Sequence, residues 1–224
     1  MDIVTDSLDA RTACRNARAN NASVGLVPTM GALHKGHLAL IDCAKRECDF
    51  VVVSIFVNPD QFGRGEDFDA YPRSSEQDFE LCRRHGVDII FYPETDTFAG
   101  GGRTVSVHES VLSQALCGRF RPGHFDGVLT VVTKLFNVIE PDRAYFGQKD
   151  IQQCILIQRM VRDLQYNIQI VVLPTIREED GLALSSRNAY LSADERVRAL
   201  VLYRGLKAVE ESLRGGVRSG TTLR

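Results

Sequence analysis

The chain has 224 residues, a formal net charge of −2, 44% hydrophobic and 25% charged residues. This is enough chain to bury one large core, and the balanced charge excludes a global basic field that would draw the protein to nucleic acid or anionic membrane; any anion site must be local. No uncharged apolar run approaches the ~20 residues of a membrane span, and the six scattered cysteines contain no CxxC pair, which excludes the common zinc spacings.

The thiols are expected to be mostly buried and free. With an acidic N-terminus that lacks an apolar signal core, this gives a reducing, cytoplasmic setting as the expectation. Apolar strand-like runs then alternate with helical patterns, which predicts an α/β fold with parallel crossovers. Residues 24–27 read as the first strand, ended by Pro28. Residues 36–46 read as a helix, with Leu38 and Ile41 at turn spacing. The run 50–57 (FVVVSIFV) is nearly all apolar, as in a central strand covered on both faces. A helix over 74–85, with Ser75 as its cap, and a strand over 87–92 follow. The middle is less regular: a Gly-rich stretch at 97–103 leads to a short strand at 104–107. Residues 126–139 read as a buried helix closed by Pro141, 144–146 as a short strand, 151–164 as a helix and 168–173 as a strand. After Pro174 the texture changes. Ser192 and Glu195 form a capping box that opens one helix running towards Gly215, and 215–224 shows no pattern. A domain boundary is placed at Ile176, dividing the chain into 1–176 and 177–224.

Three segments carry chemistry. Pro28-Thr29-Met30-Gly31-Ala32-Leu33-His34-Lys35-Gly36-His37 sits between a strand and a helix, where unpaired N–H groups and the dipole suit phosphate. Gly31 and Gly36 allow close backbone approach, and His34 and His37 are placed to reach one phosphate; the alternative is a helix cap with two surface histidines. Ser185-Ser186-Arg187-Asn188 offers two hydroxyls and a guanidinium to a triphosphate, or is an ordinary polar loop. Phe146-Gly147-Gln148-Lys149-Asp150 again ends a strand; Lys149 can contact phosphate, while Asp150 either caps the next helix with Gln153 or meets a nucleotide hydroxyl. Arg119, Arg121 and His124 precede the buried helix in a Pro/Gly-rich loop that reads as formed rather than floppy. The pairing of an HxGH turn with an arginine-bearing downstream loop resembles the HIGH-type and KMSKS-like elements of class I nucleotidyl-transfer enzymes.

Together, PTMGALHKGH, VSIFVNPDQF, YPR (Tyr71 to Arg73), RPGHFDGV, PDRAYFGQKDIQQ and DGLALSSRNAYL resemble the pantothenate synthetase family, in order and over three quarters of the chain. The resemblance implies a Rossmann-like parallel sheet and ATP-driven condensation of (R)-pantoate with β-alanine to pantothenate, AMP and pyrophosphate through a pantoyl adenylate. It further implies ATP contacts from Met30, Gly31, Ala32, Leu33, His34, Lys35, Gly36 and His37, from Gly147, Gln148, Lys149 and Asp150, and from Ile176, Leu184, Ser185, Ser186 and Arg187. His37, His34, Lys149 and Arg187 would act in catalysis, with His37 the family's assigned proton donor and charge stabilisation its expected weight here. Gln61 and Gln153 would hold pantoate, and Gln61 would border β-alanine. The family's Mg²⁺ would be carried mostly by the ATP phosphates, with Asp78 as an outer ligand. Members are typically dimers, so a homodimer is implied here, and the charge balance gives no nucleic-acid or membrane partner as the expectation. Gln148 stands where many members carry Glu. The resemblance also implies a longer C-terminal lid domain, which this chain is expected to enter only in part.

Overall fold

A computed structural model describes residues 1–63, 65–100 and 104–222 of the chain. The strands are β1 (Asp2–Val4), β2 (Val24–Thr29), β3 (Phe50–Ile55), β4 (Ile89–Phe91), β5 (Arg143–Gly147) and β6 (Gln169–Leu173). The helices are α1 (Ser7–Ala19), α2 (Lys35–Glu47), α3 (Ser75–Arg84), α4 (Cys117–Phe120), α5 (His124–Ile139), α6 (Ile151–Asp163), α7 (Ala193–Ala199) and α8 (Val201–Arg214). The strands form one sheet in the order β1-β4-β3-β2-β5-β6, and every pairing is parallel. Among the described residues no helix is long and apolar enough to cross a membrane.

The two-residue period of the strands sorts the core into two layers. Val24, Leu26, Val52, Phe91, Ala144 and Phe146 pack against α1, α5 and α6. Val27, Val51, Val53, Ile55, Ile90 and Tyr145 pack against α2 and α3. Because both faces are covered, β3 must be apolar at every position but one, which is what makes it legible as a run. Five cysteines are buried free thiols and Cys117 is exposed, in line with the expectation. Burial pushes the thiols of Cys14 and Cys154 up to about 11, so they remain protonated.

Chain order reverses at the sheet's centre: β2 leads to β3 on one side and lies beside β5 on the other. The β2–β5 ladder holds only Gly25↔Arg143 and Leu26↔Ala144, whereas β2–β3 continues to Thr29↔Ile55. The two strands therefore part towards their carboxyl ends, and the crevice at such a switch point is where open α/β sheets bind ligands.

Several expectations are corrected. Pro28 does not end β2 but lies within it. The carbonyl of Thr29 accepts from Phe56 on the β3 side, so the alternating Pro28 faces β5 beyond the last ladder pair, where its missing N–H costs nothing. Residues 104–107 form no strand; the Val107 N–H donates to Thr130 Oγ1 at 2.9 Å instead of to a neighbouring strand. Of the Gly-rich stretch, residues 97–100 fall in a π-helical turn, and residues 101–103 lie outside the described residues. The cap position of α3 is Ser74, not Ser75, and its hydroxyl turns to Asp78 Oδ1 at 3.4 Å. Asp150 occupies the cap position of α6 without a capping bond, its carboxylate lying 3.5 Å from Lys149 Nζ. The Ser192–Glu195 capping box forms, but the helix it opens breaks at Leu200 into α7 and α8. β1 and α1 were not anticipated; Asp6 caps α1 by accepting from Leu8 and Asp9 N–H at 2.7 and 3.2 Å.

Candidate active site

The crevice opens into a cavity of about 250 Å³ at the carboxyl ends of β2, β3 and β5. Met30, His34, Gly36, His37, Gln61, Gly147, Lys149, Asp150, Gln153, Ile176, Leu184, Ser185, Ser186 and Arg187 all line it. Segments from four parts of the chain thus converge on one space. Gly31, Ala32, Leu33, Lys35 and Gln148 do not line it; Lys35 and Gln148 are exposed.

The two histidines serve the helix and the cavity at once, so the two readings of HxGH are not exclusive. His34 is the cap of α2: its Nδ1 accepts from Gly36 N–H at 3.1 Å, while His37 Nδ1 accepts from His34 N–H at 3.3 Å. A Cβ on residue 36 would stand 2.9 Å from His34 Cε1, so glycine is what lets the His34 ring fold over its own turn. The rings stack with centroids 4.1 Å apart. Burial, the neighbouring His34 and Lys149 push His37 down to about 3; burial and Lys149 lower His34 as well. A neutral imidazole whose Nδ1 accepts must carry its proton on Nε2. Each ring therefore faces its remaining surroundings as a neutral N–H donor, an oriented dipole.

Asp78, expected as an outer Mg²⁺ ligand, makes its hydrogen bonds to the HxGH turn. It is 1% exposed, and its two oxygens accept from Ala32 and Leu33 N–H at 2.8 and 2.7 Å. Gly31 and Ala32 stand at φ +81° and +49°, and this turn aims the successive amides of Ala32 and Leu33 into a small anion cradle. Asp78 fills that cradle from α3 and so holds the turn, and it is not among the residues that line the cavity. Burial raises its pKa despite these bonds.

Gln61 is placed by a second network. The Asn58 side chain, 2% exposed, donates to the Gly127 carbonyl at 3.2 Å, and Arg121 Nη2 and His124 Nδ1 reach the Gln61 carbonyl at 3.2 and 2.7 Å. Arg121 also pairs with Glu66 through Nε and Nη2 at 2.7 and 2.5 Å, which pushes the Glu66 carboxyl down to about 2. Arg121, Lys149 and Arg187 face the cavity against one lining carboxylate, Asp150. Glu66 and Asp67 balance the two arginines from behind the wall, so the pocket offers directed guanidinium and ammonium donors and not a net positive field. Sequence reasoning missed Ser54, which lines the cavity fully buried with its Oγ unpartnered among the described residues, and it missed Glu66 and Asp67. A serine inside an otherwise apolar strand was the available signal for the first; an acidic pair in a loop carries none.

A doubly covered parallel sheet with a histidine-bearing cavity at its switch point defines a nucleotide-binding protein of the Rossmann-like class. The family description "Pantoate-beta-alanine ligase" matches residues 2–223. A pantothenate synthetase of Coprothermobacter proteolyticus is 56% identical over 209 residues, covering 92% of this chain and 73% of that protein. The crystal structure of the Thermus thermophilus enzyme superposes with a TM-score of 0.94 at 49% identity, covering 100% of this chain and 80% of that one. A Francisella tularensis pantoate-beta-alanine ligase, described as complexed with beta-gamma ATP and beta-alanine, matches with a TM-score of 0.83 at 39% identity over 96% of this chain and 79% of that one. The chain belongs to the pantoate–β-alanine ligase family, and its activity is the ATP-dependent condensation of pantoate with β-alanine.

Proposed function

We propose that the condensation runs in two steps through a pantoyl adenylate, with the residues of this cavity in the following roles. The observation that carries the reading is the convergence of His34, His37, Lys149 and Ser185 to Arg187 on one cavity that also exposes Gln61 and Gln153. In the first step a pantoate carboxylate oxygen bonds to the α-phosphorus of ATP, and the bond from that phosphorus to the bridging oxygen breaks, so that pyrophosphate leaves with the electron pair. A carboxylate is already ionised at neutral pH, so the step needs no base; it needs stabilisation of the charge growing on the phosphates. Lys149 and Arg187 supply it as cations, and the Nε2–H groups of His34 and His37 as preoriented donors. Gln61 and Gln153 hold pantoate by hydrogen bonds while the lining side chains Phe56, Val128, Val131 and Val132 bury its apolar part and exclude water. In the second step the β-alanine amine, entering beside Gln61 and having lost its ammonium proton to solvent, bonds to the acyl carbon; the acyl–oxygen bond breaks with its electron pair going to AMP, and the nitrogen releases its second proton to solvent.

Mg²⁺ fits this site as a passenger of the nucleotide. Among the described residues no group of three or more His, Cys, Asp or Glu is arranged to hold an ion, and a phosphate-borne Mg²⁺ needs only one or two carboxylates. Asp150, the lining carboxylate, is the residue that would meet it. Residues from 177 onwards form the second unit of the reading, the start of the lid; α7 and α8 contain no buried residue and take no part in the sheet's core. The functional species is a homodimer, which sedimentation at micromolar concentration checks.

Pantoate-dependent exchange of labelled pyrophosphate into ATP, measured without β-alanine, tests the adenylate. Exchange that requires pantoate supports it; product formation with no such exchange, under conditions where pyrophosphate can rebind, would exclude it.

A further inference from the structure

Two adjacent carboxylates, Glu66 and Asp67, stand behind the cavity wall and hold two of its arginines. They do so differently. Arg121 is spent: Nε and Nη2 go to Glu66, Nη2 also to the Gln61 carbonyl, and Nη1 to His124 Nε2 at 3.0 Å. Arg187 gives only one edge, Nε and Nη2, to Asp67 Oδ2 and Oδ1 at 2.7 and 2.9 Å. Among the described residues its Nη1 has no hydrogen-bond partner, and the residue lines the cavity.

The plane of that guanidinium is fixed as well as its edge. Its carbon lies 5.2 Å from the Tyr71 ring centroid and 5.8 Å from that of Phe62, the range of cation–π contact. Tyr71 in turn reaches Ser186 Oγ at 3.2 Å, which ties the ring to the residue next to Arg187. A planar fork held along one edge and against aromatic rings presents its remaining donors in a single direction. The Asp67–Arg187 pair is partly exposed, 28% and 41% at the side chains, so its fixed geometry matters more than its net stability.

We propose that Asp67 is a positioning residue for adenylate formation: its carboxylate and the Phe62 and Tyr71 rings lock Arg187 so that the Nη1 edge is aimed at the triphosphate. This deepens the proposed function and rests on its assignment of Arg187 to the phosphates. The lock lowers the pKa of Asp67, through the Arg187 hydrogen bonds first, so the carboxylate stays ionised wherever the enzyme works.

The test is a double-mutant cycle on the full chain. Single-turnover adenylate formation at saturating ATP and pantoate, ATP affinity by calorimetry and thermal melting are measured for wild type, Asp67→Asn, Arg187→Lys and the double variant. Asp67→Asn is expected to slow adenylate formation about ten- to a hundredfold, as a misaimed catalytic group does, with ATP affinity within about threefold of wild type. Added to Arg187→Lys, it should slow the reaction no further. Asp67→Glu, which keeps the charge, should recover part of the rate and carries the comparison if the asparagine variant melts early. Tyr190→Phe removes another tie to the same loop, the 2.8 Å bond to the Ala70 carbonyl, and should leave the rate unchanged. Additive losses, or an equal slowing by Tyr190→Phe, would show that Asp67 only braces the loop and would overturn the proposal. So would tighter ATP binding at an undiminished rate, which would make Asp67 a competitor of the phosphates. A wild-type rate in Arg187→Lys would instead refute the assignment of Arg187 itself.

Discussion

Gly127 is a position beside the cavity where one added carbon should be costly. A Cβ there would stand 2.1 Å from the Asp60 carbonyl oxygen and 2.9 Å from the Gln61 nitrogen, both backbone atoms that no rotamer change can move. Helix α5 and the turn at Pro59–Gln61 would have to part by roughly 1 Å, and overpacking of this kind costs about 1–3 kcal/mol. The same displacement strains the bond from buried Asn58 to the Gly127 carbonyl; an orphaned buried amide adds about 1–3 kcal/mol. A total near 3 kcal/mol lowers the melting temperature of a chain this size by roughly 6–12 °C. Because Gln61 sits on the displaced turn, the KM for pantoate should rise as well, while ATP, bound from the HxGH side, should hold its affinity. Differential scanning calorimetry and initial-rate kinetics of Gly127→Ala read both effects. A variant melting within about 2 °C of wild type with an unchanged pantoate KM would refute the packing argument.

His37→Ala should slow adenylate formation by about a hundredfold, the usual loss for one oriented donor, while weakening ATP binding only a few-fold; equal losses in calorimetry and quenched flow would contradict the transition-state role. The same ring makes stability pH-dependent. Its folded pKa of about 3 lies below the ordinary 6.5, so the unfolded chain binds more protons between those values. Stability is then fully present above the ordinary value and falls as acid is added towards the folded one. His37→Asn should flatten that fall, seen as a smaller loss of denaturation midpoint between neutral and mildly acidic buffer. Gln61→Ala should raise the pantoate requirement several-fold with ATP affinity nearly intact, and unchanged pantoate dependence in steady-state kinetics would rule out its assigned contact. Asp78→Asn leaves one of the Ala32 and Leu33 amides facing an NH₂ group. It should cost about 1–3 kcal/mol and loosen the turn, so ATP affinity and melting temperature should fall together, and unchanged affinity would refute the role given to Asp78.

What the sequence revealed depended on whether a signal was local. The run at β3 is legible because both of its faces are buried, and α5 because eleven of its sixteen residues are. The HxGH turn was legible because its capping bonds run between residues two or three apart. β1 was missed because Ile3 is 45% exposed and the strand has only three residues. The contacts of Asp78 could not be foreseen because its partners lie 45 and 46 residues upstream, at a distance where no spacing rule operates. Asp67 was passed over for the same reason: beside Glu66 it reads as a solvated charge pair, and its partner is 120 residues away. The break at Leu200 was invisible because neither glycine nor proline marks it; two adjacent leucine- and arginine-bearing helical patterns read as one.

Pro28 has an effect on the cavity beyond its harmless fit in β2. Residues of its parity face β5, and the next rung after Leu26↔Ala144 would need an amide hydrogen from residue 28. The ring removes that donor covalently, so β2 and β5 gain less from zipping shut over the slot between them when substrates are away. The gap is thus written into the backbone and does not have to be forced open by the incoming nucleotide, and binding energy that would otherwise separate two strands remains for the reaction.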